Sequence, residues 1–307
     1  MERIFFILVL VLSTSCTTQV SRDPNKLRIV TDPDSLIIFP ELPSGNLGRE
    51  ILYGREILIN TAFYFGRKGV IKPIFSNSVQ CQNCHLDAGT RLYGNHLLNT
   101  FKKYPGYYAR VGKPVSLENR IELCIDDHYR NRKGKIPSKE MNALKTYLKW
   151  LSKSKINLSN PEKSTFFEFA FPSRKSSSAR GKELYSHHCL RCHSGSPSVL
   201  TPPLWGKDGY SIHSPFFQNF RLAQFIRANM PLGSTPDNPI LSEEEALDIA
   251  VYVNSSQLEK RWGDRKLKFY PQAKEKPFDY PFGPYKDGFN EMQHRIGPFL
   301  PISEKQK

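Results

Sequence analysis

The chain has 307 residues, of which 39% are hydrophobic and 12% aromatic, with 44 Lys plus Arg against 29 Asp plus Glu. That length fits two ordinary domains and excludes a peptide-sized scaffold, while the apolar and aromatic content excludes a disordered chain. A formal charge of +15 favours anionic partners without choosing among them, and six cysteines are too few for a disulfide-dense scaffold.

Residues 4–12 form an unbroken apolar run behind a single Arg. A helix of that length cannot cross a bilayer core of about 30 Å, so the run reads as the central part of an export signal rather than a span. Ser13, Thr14 and Ser15 lead into Cys16. Small residues before a cysteine mark a bacterial lipoprotein signal, although Ser13 holds the place where Leu is usual. The expectation is a signal over 1–16, a lipid on Cys16, a tether over 17–44, and a periplasmic protein held at a membrane. Nucleic acid is no partner in that compartment.

Five cysteines remain, and four of them lie in two identical patterns, Cys81-Gln-Asn-Cys84-His85 and Cys189-Leu-Arg-Cys192-His193. In an exported protein this pattern supplies two thiols for thioether bonds to haem vinyl groups and an adjacent imidazole for the iron. A thioredoxin-type pair needs no His and a βαβ setting, and a four-Cys zinc site leaves both trailing His unexplained. Two covalently bound haem c groups are therefore expected, on Cys81 and Cys84 with His85, and on Cys189 and Cys192 with His193.

Each pentapeptide sits between two helical patterns. Upstream are Gly48 to Tyr53 and Gly181 to Tyr185, each bringing a Gly and an aromatic residue to a packing face. Downstream, Met141, Leu144, Leu148 and Leu151 form one stripe after Pro137-Ser138, and Ala246, Ile249, Ala250 and Val253 form another after a Ser242/Glu245 capping box. The resulting reading is all-α: two tandem cytochrome c domains at 45–155 and 178–261, a linker at 156–177, and an extended arm at 262–307 whose prolines 271, 277, 281 and 284 interrupt helix. The basic run 260–268 is a candidate contact for lipid phosphate.

Six-coordinate iron needs a distal ligand. Met230, in Asn229-Met230-Pro231-Leu232-Gly233, stands where the second haem requires one. For the first haem Met141 reads as core, and the candidates are Cys124, the one cysteine without another assignment, His96 and His128.

From residue 48 to residue 285 the sequence resembles the dihaem thiosulfate dehydrogenases, tetrathionate-forming c-type cytochromes. The matching stretches are residues 54–60, 81–90, 104–112, 118–124, 202–206 and 230–233. The resemblance implies that Cys124 is the distal ligand of the first, catalytic haem, and that Arg110 and Arg120 line the substrate site. It implies oxidation of two thiosulfate to tetrathionate, reversible in principle. Electrons would run from the His85/Cys124 haem to the His193/Met230 haem and on to a soluble or membrane-bound redox partner. Guanidinium groups suit the approach of two dianions. Two departures stand out: the segment Ile125 to Lys135 is longer and more acidic at its start than the family pattern, and Asn229 replaces a Lys that some members carry beside the Met. The rival reading is a dihaem electron-transfer cytochrome without small-molecule turnover.

Overall fold

The computed structural model describes residues 36–194, 201–206, 208–255, 263 and 269–306. The export signal, the Cys16 lipid site, the tether up to residue 35 and nearly all of the basic run 260–268 lie outside these residues. Among the described residues no helix is long and apolar enough to cross a membrane.

The described residues pack around two hydrophobic cores. In the first, β1 (Ile37–Ile38) leads to α1 (Gly45–Ile59) and the short α2 (Thr61–Phe65). The hairpin β2 (Gly106–Tyr108) and β3 (Lys113–Val115) precedes α3 (Leu117–His128) and α4 (Ser138–Leu151), and β4 (Lys155–Ile156) returns to pair antiparallel with β1. The stripe read on α4 faces inward, with Met141, Leu144, Leu148 and Leu151 all at most 5% exposed. Ile57, Phe65 and Leu98 complete that core.

The second core is built by α5 (Ser178–His188), the single turn α6 (Leu190–His193), α7 (Asn219–Asn229) and α8 (Glu243–Ser255). The capping box at the start of α8 forms as read: the Ser242 N–H donates to Glu245 Oε2 at 3.0 Å and the Glu245 N–H to Ser242 Oγ at 3.3 Å. Ala246, Ile249, Ala250 and Val253 are buried behind it. Asp248, fully buried on the same helix, is neutralised by a two-pronged contact from Arg174 and by the Ser177 N–H at 2.7 Å. A buried carboxylate needs this degree of satisfaction.

The two helix crossings are built alike. A Cβ on Gly54 would overlap the Ala143 carbonyl oxygen, and one on Gly181 would overlap that of Asp248, so α1 meets α4 and α5 meets α8 with backbones in contact. Gly54, and not Gly48, is thus the counterpart of Gly181. Residues 48–52 and 54–58 both read Gly-Arg-Glu-Ile-Leu, and only the crossing selects the second copy; Gly48 packs on the Pro43 carbonyl instead.

The stretch read as a linker is less of a free connection than its Ser-rich end suggests, because Phe166, Phe169 and Phe171 pack on the second core. The C-terminal stretch also differs from a purely extended arm. The Tyr270 N–H donates to the Arg110 carbonyl at 2.9 Å, and Phe278 and Phe299 enter the second core. Two short helices, α9 (Glu291–Ile296) and α10 (Phe299–Lys305), follow the last of the interrupting prolines. An Asn290/Gln293 capping box starts α9 and is its overlooked sequence signal.

Candidate haem centres and active site

The first pentapeptide is held from both sides. Its Cys81 N–H donates to Thr61 Oγ1 on α2 at 3.1 Å, and the Gln80 N–H donates to Asn83 Oδ1 at 2.7 Å, closing the Cys81–Asn83 turn. Asp87, Ala88 and Gly89 then take left-handed conformations, with φ of 53°, 58° and 80°. The loop that follows returns to the motif, with the Leu86 N–H donating to the Gly94 carbonyl, and the Asn95 carbonyl reaches His85 Nδ1 at 2.7 Å. A carbonyl only accepts, so Nδ1 carries the proton and Nε2 keeps its lone pair for a metal.

A cavity of about 710 Å³ opens beside this imidazole, lined by Cys81, His85, His96, Arg120 and Cys124 among apolar walls from Leu58, Leu97, Leu144 and Leu148. This lies within the roughly 300–1,000 Å³ typical of cofactor and ligand pockets. One wall is α3, which contributes Leu117, Arg120, Ile121, Cys124 and Ile125. Their spacing of three, four, seven and eight residues puts them on one helical face. His96 Nδ1 is buried without a hydrogen-bond partner, a polar atom left for whatever fills the space. The Cys81 thiol, the His85 imidazole, a second soft donor, Cys124, on the facing helix and apolar walls fit a covalently attached haem, while Cys84, the other attachment thiol, does not line the cavity.

Of the three candidates for the first distal ligand, Cys124 and His96 reach the cavity and His128 does not line it. Burial opposes the Cys124 thiolate, but a hydrogen bond with the His85 side chain and the Arg120 guanidinium outweigh it, and the thiol lies below its ordinary range. His96 bonds through Nε2 to Ser164 Oγ at 2.8 Å, and burial together with Lys103 lowers its pKa to about 4. His128 donates from Nδ1 to the Cys124 carbonyl at 2.7 Å, one turn back on the same helix. Met141 is a core residue, 2% exposed.

The two arginines are placed differently. Arg120 lines the cavity, stacks over the Tyr108 ring at 4.6 Å, and is held charged by Cys124 and Tyr108 against the effect of burial. Arg110, 3% exposed, is engaged elsewhere: it donates to the His213 carbonyl at 2.6 Å, pairs with Asp127 at 3.4 Å and lies 3.8 Å from the Phe269 ring centroid. It does not line the cavity. Two further cations, Lys102 and Lys103, do line it and escaped the sequence reading. The altered segment after Cys124 is tied down by Arg132, which pairs with Glu122 and Asp126.

The second pentapeptide repeats the imidazole geometry. His193 Nδ1 meets the Pro202 carbonyl at 3.0 Å, leaving Nε2 available. Met230 caps α7 and packs on the second core, as do Cys189, Leu204 and Trp205. Cys84 and Leu86 of the first motif also pack on the second core. The carbonyls of Asn95 and Pro202 were invisible to motif reading, because a backbone acceptor leaves no mark on side-chain identity.

Comparison with known proteins agrees with this architecture. Residues 71–155 match the family described as SoxA/TsdA, cytochrome c domain. Over 226 residues the chain is 27% identical to the thiosulfate dehydrogenase of Thiomonas intermedia (strain K12), covering 70% of this chain and 68% of that protein. Over 228 residues it is 28% identical to that of Allochromatium vinosum, covering 69% and 79%. The solved thiosulfate dehydrogenase (TsdBA) of Marichromatium purpuratum, as isolated, superposes with a TM-score of 0.57 at 26% identity; the match covers 71% of this chain and 48% of that one. The class is thereby defined: a c-type cytochrome whose residues 71–155 form a SoxA/TsdA cytochrome c domain, with covalently bound haem c. Within that class the chain is a thiosulfate dehydrogenase-like oxidoreductase.

Proposed function

We propose that this chain is an exported dihaem cytochrome c that joins two thiosulfate anions into tetrathionate. In that reaction one S–S bond forms between the sulfane sulfurs, no bond breaks, and two electrons leave, so two dianions become one. The observation that carries the reading is that Arg120 and Cys124 share the cavity into which His85 points.

Two haem c groups, on Cys81, Cys84 and His85 with Cys124, and on Cys189, Cys192 and His193 with Met230, would accept one electron each and pass them to an external redox partner. The chain's own residues do the rest. Arg120 offers a planar fork to the sulfonate oxygens, and Lys102 and Lys103 add positive charge on the same lining, offsetting the repulsion between two dianions. Cys124 supplies a soft thiolate beside the sulfane sulfur. Arg110 holds Asp127, on the same helix as Cys124, and so steadies the wall rather than touching substrate. The signal over 1–16 with a lipid on Cys16 places the reaction in the periplasm, at a membrane. The two cores are read as two tandem haem domains, at 45–155 and 178–261, the second completed by Phe166, Phe169, Phe171, Phe278 and Phe299 from outside its range.

The rival, an electron carrier without turnover, draws support from Arg110, whose engagement leaves Arg120 as the one arginine on the cavity among the described residues. Stopped-flow absorbance decides between them. Oxidised dihaem protein mixed with thiosulfate is expected to show rapid haem reduction with tetrathionate formed, lost in Cys124→Ala. No reduction by thiosulfate, and no oxidation of the reduced protein by tetrathionate, would establish the carrier.

A further inference from the structure

Asn229, 4% exposed at the end of α7, donates from its Nδ2 to two backbone carbonyls, Phe225 and Tyr93, both at 3.0 Å. The first is one turn back on its own helix. The second lies across the chain in the loop that closes the first haem motif, 136 residues away in sequence. Tyr93 is held in a left-handed conformation, φ 58°, with its own N–H donating to the Ser164 carbonyl at 2.6 Å. Two residues further on, the Asn95 carbonyl receives His85 Nδ1–H. Met230 directly follows Asn229. Two hydrogen bonds, joined by Tyr93, Gly94 and Asn95, thus connect the His85 imidazole with the residue that directly precedes Met230.

We propose that Asn229 is a positioning residue that couples the two haem ligand sets. Its amide ties the Met230 strand to the loop whose carbonyl orients His85, so the ligand field at one centre depends on the packing at the other. This rests on the reading of His85 and Met230 as iron ligands. Two consequences of opposite sign follow from ligand chemistry. Loosening the Met230 strand weakens thioether ligation, which otherwise raises the potential of its haem. Loosening the Asn95 carbonyl reduces electron donation to His85 and with it the preference for ferric iron at the first haem.

The test is a redox titration of the haem-loaded Asn229→Ser protein beside wild type, with haem stoichiometry and far-UV circular dichroism as controls. Serine bonds back to the carbonyl one turn earlier and keeps the Phe225 contact, but does not span to Tyr93. The expected result is a fall in the potential of the second haem with weakening of its red charge-transfer band, and a rise in that of the first. Asn229→Leu, which removes both N–H donors while keeping the side-chain branching, is held to the same outcome. A shift at the second haem alone would overturn the coupling, reducing Asn229 to a local support for Met230, and two unmoved potentials would overturn it entirely. A wild-type protein without the red band would instead refute Met230 ligation, a failure distinguishable from the other two.

Discussion

Arg120 and Cys124 stand one turn apart on the same face of α3 and share the cavity that His85 enters. The guanidinium lowers the thiol's pKa and is itself held charged by it, so the two form one electrostatic unit. Replacing Arg120 by Ala removes the cavity's arginine and a stabiliser of the Cys124 thiolate together. The expected loss in kcat/KM for thiosulfate is ~10²–10³-fold, the scale of one preorganised donor, with both haems retained. Arg120→Lys should recover only part of it, because the fork geometry is missing. Steady-state assays with haemochrome quantitation check this.

Cys124→Ala should retain both haems, since attachment runs through the pentapeptides, while thiosulfate-driven reduction falls by ~10²-fold or more. Loss of an anionic donor should also raise the potential of the first haem. Electrochemical titration of the variant reads that rise directly, and an unchanged potential would exclude Cys124 as a ligand.

Arg110 is expected to act through stability. Removing it leaves Asp127, 7% exposed, without its 3.4 Å partner. Stranding one partner of a buried ion pair costs about 3–5 kcal/mol. Arg110→Ala should therefore shift the denaturation midpoint strongly, and Arg110→Ala combined with Asp127→Asn should recover much of it. A direct substrate role predicts instead a raised KM with stability intact.

Both glycine crossings should be intolerant of a single methyl group. Gly54→Ala and Gly181→Ala each force a helix pair apart at a backbone contact, and a loss of about 2 kcal/mol or more is expected in each case. Gly48→Ala tests a different contact, with Pro43, and should leave the α1–α4 crossing intact. Thermal melts followed at each haem's absorbance would separate the two halves.

His96 predicts a pH dependence. Its pKa is lowered from 6.5 to about 4, so the unfolded chain takes up a proton at a pH where the folded chain does not. The stability contribution is present above pH 6.5 and is lost as pH falls from 6.5 towards 4, by up to about 3 kcal/mol. Denaturant titrations should show wild type losing stability relative to His96→Gln as pH falls across that range, with no such relative change above pH 6.5.

The sequence by itself determined the features whose chemistry is local. Both attachment pentapeptides are complete within five residues, the α4 and α8 stripes follow from helical period, and the Ser242/Glu245 box from a spacing of three. None of these needs a distant partner to be recognised. Only the tertiary structure decided which of two identical Gly-Arg-Glu-Ile-Leu segments makes the crossing, because that depends on the Ala143 carbonyl nearly ninety residues later. It separated Arg120, on the cavity, from Arg110, drawn 103 residues along the chain to His213. It also supplied Asn95, Pro202 and Tyr93, whose contribution is a backbone carbonyl. Every residue carries that group, so composition and motif say nothing of it, and only the path of the folded chain brings it within 3 Å of an imidazole or an amide.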